Sequence, residues 1–176
     1  MVTHAQAGSG PGLIYGSQSC APQSITAGTA GVPSLTGRPV NIMVEQFVGT
    51  WTLISSDNFD EYMKAVGMSF ASRQMGSLAK PDLVVSLDAD GVIKIKAEST
   101  FKTTSIKFKL NEEFDETTVD GRNAKSIFTL ENGKLVQKQS WDGKTTTLER
   151  EVQDKKLIAK CVMDDVVAVR TYEKSA

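Results

Sequence analysis

At 176 residues, 40% hydrophobic and with a formal net charge of -1, the chain has room for one domain with a substantial core or an internal cavity. The near-zero charge excludes a long-range pull on nucleic acid. No apolar run approaches the roughly 20 residues of a membrane helix. Cys20 and Cys161, the two cysteines, lie in compositionally different stretches, which argues against a disulfide and fits a reducing compartment.

Residues 1–42 are rich in Gly, Pro, Ser, Thr and Ala. They hold four of the five prolines, and Arg38 is their only Asp, Glu, Lys or Arg. Such a segment has little to bury and is expected to be disordered. It lacks the basic start and apolar block of a secretory signal, and one arginine is too few for a transit peptide. Met43 makes a natural start for the folded part. The chain therefore divides into an extension, 1–42, and a domain, 43–176.

A first strand is predicted over 48–56, around Gly49-Thr50-Trp51-Thr52-Leu53-Ile54. A helix follows. Asn58 and Glu61 read as a capping box, and Asp60 and Glu61 favour the positive end of its dipole. Phe59, Tyr62, Met63 and Val66 recur at helical spacing, and Gly67 ends the helix. Ser69 can cap a second helix through Phe70, Met75 and Leu78, which Pro81 stops.

From Pro81 onward the pattern is of short strands at roughly ten-residue spacing. They are predicted over 83–87, 92–98, 101–110, 114–118, 125–130, 135–141, 144–152, 157–163 and 166–173. Asp90-Gly91, Asp120-Gly121, Asn132-Gly133 and Asp142-Gly143 fall between alternating runs, a strong hairpin signal. The sum is an all-β chain of ten antiparallel strands, with two helices inserted after the first. A meander this long avoids exposed edges by closing into an up-and-down barrel, and such barrels can keep a ligand cavity. The two helices would cap one mouth.

In the strand over 144–152, Thr145, Thr147, Glu149 and Glu151 share one face. Thr146, Leu148, Arg150 and Val152 share the other. The acidic face belongs in water, which turns Arg150 inward. In the last strand Val166, Ala168, Arg170 and Tyr172 alternate with Val167, Val169 and Thr171, and Arg170 is taken to face inward with Arg150. An unpaired buried charge costs on the order of several kcal/mol. Either internal acids such as Asp120 neutralise the two arginines, or they await an anionic guest.

The residues resemble a known family. Gly49-Thr50-Trp51-Thr52-Leu53 followed by Asn58-Phe59-Asp60-Glu61-Tyr62-Met63 is similar to the N-terminal signature of the intracellular fatty-acid-binding proteins. The likeness continues through Glu113-Phe114-Asp115-Glu116-Thr117-Thr118, Trp141-Asp142-Gly143-Lys144 and Arg170-Thr171-Tyr172-Glu173-Lys174, and is nearest the heart, adipocyte, epidermal, brain and myelin types. It covers 43–176, and the extension 1–42 has no counterpart in it.

The resemblance implies a ten-stranded calycin barrel of two near-orthogonal sheets that carries a long-chain fatty acid. Its carboxylate would be gripped by Arg150, Arg170 and Tyr172. Phe59, Tyr62, Met63, Gly76, Pro81, Ala97, Phe101, Val119, Asp120 and Cys161 match positions that line the cavity or its portal. It implies a cytoplasmic monomer that can also enter the nucleus, with transient membrane contact through the helical cap and delivery to nuclear receptors or to enzymes such as lipases. A retinoic acid carrier or a myelin-type membrane-stacking protein remains an alternative. Lys64 and Arg73 match two basic positions of a nuclear import patch, but Gln74 occupies the third. Leu110, Leu130 and Leu135 match an export cluster and equally suit the core.

No catalytic residue is expected. The sole histidine, His4, lies in the extension, no His/Cys cluster suggests a metal, and no general base accompanies a nucleophile. No cofactor and no nucleic acid is implied.

Overall fold

The computed structural model describes residues 40–175, with side chains from Met43 onward. The expected disorder of 1–42 thus concerns residues outside those described, apart from the last three. These begin a helix that the sequence reading did not place, α1 (Val40–Glu45). Val44 and the following Phe47 are fully buried, and the Trp51 indole donates to the Phe47 carbonyl at 2.8 Å.

Ten strands follow in chain order: β1 (Gly49–Asp57), β2 (Asp82–Leu87), β3 (Ile93–Glu98), β4 (Thr103–Phe108), β5 (Phe114–Thr117), β6 (Asn123–Glu131), β7 (Lys134–Trp141), β8 (Lys144–Gln153), β9 (Lys156–Met163) and β10 (Val166–Lys174). They hydrogen-bond as one sheet in the order β4-β3-β2-β1-β10-β9-β8-β7-β6-β5. Every pairing joins sequence neighbours except β1 with β10, which nearly closes the meander into the expected barrel. The opening lies between β4 and β5. There Phe108, Phe114 and Phe128 stack, with Phe108 and Phe128 ring centroids 3.7 Å apart, so aromatic packing takes the place of the missing ladder.

Turn chemistry sets the registers. Asn132-Gly133 and Asp142-Gly143 are left-handed at both positions, as a two-residue hairpin of the favoured twist requires. The β8–β9 turn does the same at Asp154-Lys155 without glycine. A bulge between Leu53 and Ser55 in β1 leaves Ile54 exposed.

Between β1 and β2 stand α2 (Phe59–Ala65) and α3 (Phe70–Leu78). Asn58 is not the expected capping-box residue. It sits at φ 57° with no side-chain cap bond, and its amide donates to the Val167 carbonyl at 2.9 Å, tying the helix start to β10. Gly67, at φ 91°, closes α2 with a double bond pattern: its N–H donates to the Lys64 carbonyl, and that of Met68 to the Met63 carbonyl. Ser69 caps α3 as expected, accepting from the Ser72 N–H at 3.2 Å. None of α3 is fully buried, and Phe70, Met75 and Leu78 are exposed. Leu135 is buried, and Leu110 and Leu130 pack on the core, so the leucines of the expected export cluster belong to the barrel interior.

Candidate ligand cavity

Alternation along β10 turns Ala168, Arg170 and Tyr172 inward, all buried, and Arg170 is only 6% exposed. On β8, Arg150 pairs with Leu135 of β7 and Ala159 of β9, both buried. Neutral groups hold each guanidinium. Arg170 Nε donates to the Tyr172 hydroxyl at 3.2 Å, and its Cζ stands 3.9 Å from the Phe59 ring centroid. Arg150 Nη1 donates to Gln137 Oε1 at 3.2 Å, and its Cζ lies 5.8 Å from the Phe128 ring.

Among the described residues, neither arginine makes an ion pair. Asp120, the internal acid suspected of neutralising them, is taken elsewhere. Its carboxylate accepts from Arg122 Nε at 2.7 Å and Nη2 at 3.0 Å, and from the Thr118 hydroxyl at 2.6 Å. Burial pushes the Asp120 carboxyl up, but these donors outweigh it and hold the group below its usual range. Arg122 also lies over Trp141, Cζ to centroid 4.2 Å. Sequence reasoning missed Arg122; the signal was its spacing two residues after Asp120 across a predicted turn.

Beside the arginines is a cavity of about 410 Å³, within the range of about 300–1,000 Å³ usual for small-molecule sites. Arg150, Arg170 and Tyr172 lie on its wall with Phe59, Met63, Gly76, Pro81, Ala97, Phe101, Val119, Asp120 and Cys161. Tyr62 does not and corrects the expectation: its hydroxyl shares a 2.8 Å hydrogen bond with Thr146 Oγ1, and its ring stacks on Phe59 from behind. Burial, with the charge of Cys161 adding, pushes the Tyr62 phenol up to about 12. The periodicity of α2 placed Phe59 and Tyr62 on one face, but only contact with β8 decides which of the two reaches the cavity. Leu148, turned inward with Arg150 by strand parity, lines the same wall with Ala159, the neighbour of Cys161 on the inward face of β9, and with Leu83, which sequence reasoning passed over.

The cavity opens beneath α3. Met75, Phe101 and Val119 line it and are yet half or more exposed. Lys102 Nζ donates to the Val119 carbonyl at 3.1 Å and so bridges the β3–β4 and β5–β6 loops at this mouth. The interior is therefore an apolar chamber with a wet mouth and two cations at depth. Such a chamber can hold an amphiphile with one anionic end. Cys161 is fully buried against it; burial pushes its thiol up, which Arg150 and Arg170 only partly counter.

Residues 48–175 match the family described as Lipocalin / cytosolic fatty-acid binding protein. The chain belongs to this family. It is 51% identical over 133 residues to the adipocyte fatty acid-binding protein of Pygoscelis papua, covering 76% of this chain and 100% of that one. Fatty-acid-binding protein 1 of Echinococcus granulosus superposes with a TM-score of 0.73 at 45% identity, covering 75% of this chain and 99% of that one. A Schistosoma mansoni fatty acid binding protein, solved in complex with arachidonic acid, does so with a TM-score of 0.73 at 38% identity, covering 76% and 99%. The matched region is the barrel with its helical cap.

Proposed function

We propose that this family member is a non-enzymatic carrier of a long-chain fatty acid, held in the barrel cavity with its carboxylate at Arg150, Arg170 and Tyr172. The observation that carries the reading is the pair of interior guanidiniums, neither of which makes an ion pair among the described residues. A carboxylate would supply the missing charge and accept from both forks and from the Tyr172 hydroxyl. Relatives named for fatty-acid binding, one of them solved with arachidonic acid, support a fatty acyl guest. Each buried methylene contributes about 0.8 kcal/mol. The chain thus supplies most of the affinity, while the arginines select the head group.

The finer reading is a cytosolic monomer, with 43–176 as its working domain, that takes up and releases its cargo at membranes. Met75, Phe101 and Lys102 are exposed at the mouth, and Phe70, Leu78, Lys64 and Lys80 are exposed elsewhere on the helical cap and its exit, a surface suited to brief contact with anionic bilayers. Among the described residues no helix is long and apolar enough to cross one. Arg73 is less free than its neighbours, since it pairs with Asp60 at 3.2 Å and donates to the Met68 carbonyl. Calorimetric titration with oleate tests the carrier reading. The delipidated protein is expected to bind one oleate tightly, and Arg150→Gln/Arg170→Gln to bind it at least tenfold more weakly. Absence of saturable binding by folded wild type would sink the reading.

A further inference from the structure

Among the described residues, three atoms of charged side chains are buried without a hydrogen-bond partner: Glu116 Oε2, Arg122 Nη1 and Arg150 Nε. One is an acceptor and two are donors. Glu116 sits on β5, opposite Ala124 of β6, and its other oxygen accepts from the Gln139 amide of β7. Gln137, two residues before Gln139 on β7, holds Arg150 and donates to Ser126 Oγ at 3.4 Å. A polar wall thus runs from Glu116 through Gln139, Ser126 and Gln137 to Arg150. Burial raises the Glu116 carboxyl above its usual range, against the opposing hydrogen bonds from Gln139 and Ser126 and the charges of Arg150 and Arg122.

The titratable groups around this chamber come from each packed element. Asp120 and Arg122 stand at the β5–β6 turn, Arg150 on β8, Cys161 on β9, Arg170 and Tyr172 on β10 and Tyr62 on α2, while Lys102 lies at the solvent-exposed mouth with its ammonium on the Val119 carbonyl. Tyr62 and Cys161 are both pushed up and are neutral at pH 7. Asp120 and Arg122 cancel each other. Arg150 and Arg170 remain, with Glu116 against them. The interior therefore carries one excess positive charge when Glu116 is ionised, and two when it is protonated or replaced.

We propose that Glu116 sets the head-group charge this barrel accepts: it is a built-in counter-charge to Arg150 that leaves the chamber short of a single negative charge. The inference rests on the anionic-ligand reading above and names its class, an amphiphile with a singly charged head. Glu116 is not on the cavity wall, so it acts through Arg150 as a positioning residue. Without its charge the chamber favours a doubly charged head such as an alkyl phosphate, whose second ionisation lies near pH 6.

The test is calorimetric titration of the delipidated full chain and of Glu116→Gln with hexadecanoate and hexadecyl phosphate. At pH 8 the ratio of phosphate to carboxylate affinity is expected to rise about tenfold or more in the variant. At pH 5, where the phosphate carries one charge, the two proteins are expected to converge. A purely structural role would weaken both ligands together and leave the ratio fixed. A ratio within about twofold of wild type at pH 8, with both ligands bound, would overturn the proposal. A measurement on wild type guards against a variant that fails to fold. Titration in buffers of different ionisation enthalpy is expected to show about one proton taken up with hexadecyl phosphate and none with hexadecanoate; equal uptake overturns the proposal. Failure of folded wild type to bind either amphiphile would instead overturn the anionic-ligand reading beneath it.

Discussion

Arg170 offers the clearest trade between stability and binding. Taking a guanidinium out of water costs on the order of several kcal/mol per ion. In the ligand-free protein two contacts offset this. The hydrogen bond to Tyr172 contributes about 1.5–3 kcal/mol, and stacking on Phe59 contributes about 2 kcal/mol. Replacing buried charges by apolar residues is often neutral or stabilising by about 1–4 kcal/mol, and with these two contacts in place a deficit at the lower end, about 1–2 kcal/mol, is expected, which an incoming carboxylate would cancel. Replacing both partners, Arg170→Met with Tyr172→Phe, removes the cation without orphaning the hydroxyl and keeps the volume apolar. The delipidated double variant is therefore expected to be more stable than wild type by about 1–2 kcal/mol, a rise in Tm of roughly 3–8 °C for a domain of this size. Its oleate affinity is expected to fall by roughly tenfold to a hundredfold, the loss of one charge-assisted contact. Urea unfolding with the ligand removed reads the first effect, and calorimetry the second. A double variant less stable than wild type by about 1 kcal/mol or more would refute the reasoning. Arg170 would then be satisfied by Tyr172 and Phe59 alone and would need no anion.

Further outcomes follow from the buried titratable groups. Asp120→Asn leaves Arg122 buried without its counter-ion; because that side chain is 17% exposed, the cost is expected below the 3–5 kcal/mol of a fully buried pair, about 2–3 kcal/mol by urea unfolding. Asp120 is held below its usual value, so its contribution is present above about pH 4 and is lost as pH falls through the folded value. For Tyr62 the sign is opposite: a raised phenol contributes stability that is whole below about pH 10 and is lost as pH rises through about 12. Alkaline absorbance titration should show a tyrosine step near pH 12 that disappears in Tyr62→Phe. In a Cys20→Ser background, the raised and buried Cys161 is expected to react with a thiol reagent about tenfold or more slowly than a free peptide thiol, and more slowly still with the cavity saturated by oleate.

The ten strands were legible because their alternation is clean and half of the turns that join strand to strand carry glycine where the backbone is left-handed. Asn132-Gly133 and Asp142-Gly143 mark two registers directly. Asp154-Lys155 adopts the same conformation with no glycine to announce it, since the neighbouring strands impose it. The bulge at Ile54 and the left-handed Asn58 are likewise consequences of tertiary closure: the first bends β1 against β10, the second is bonded to β10. Helix α1 straddles the boundary drawn at residue 42, and its six residues, Val40–Glu45, are too few to display a helical period. The inward arginines could be read from strand parity alone, but their lack of ionic partners could not. That depends on Arg122 reaching Asp120 first, a contact across a turn whose geometry no periodicity encodes. The Glu116–Gln139 contact spans β5 to β7 and was equally invisible, because it needs the order of three strands.

The most direct measurement is ¹³C NMR of oleate labelled at its carboxyl and bound to the delipidated protein, followed across pH. The carboxylate grip predicts one bound resonance that stays at its ionised position well below the ordinary carboxylate midpoint of about 4.5, because two guanidiniums favour the charged form. In Arg150→Gln/Arg170→Gln any resonance that remains should titrate. A wild-type resonance that protonates with the midpoint of a free fatty acid would place the carboxyl in water and contradict the grip.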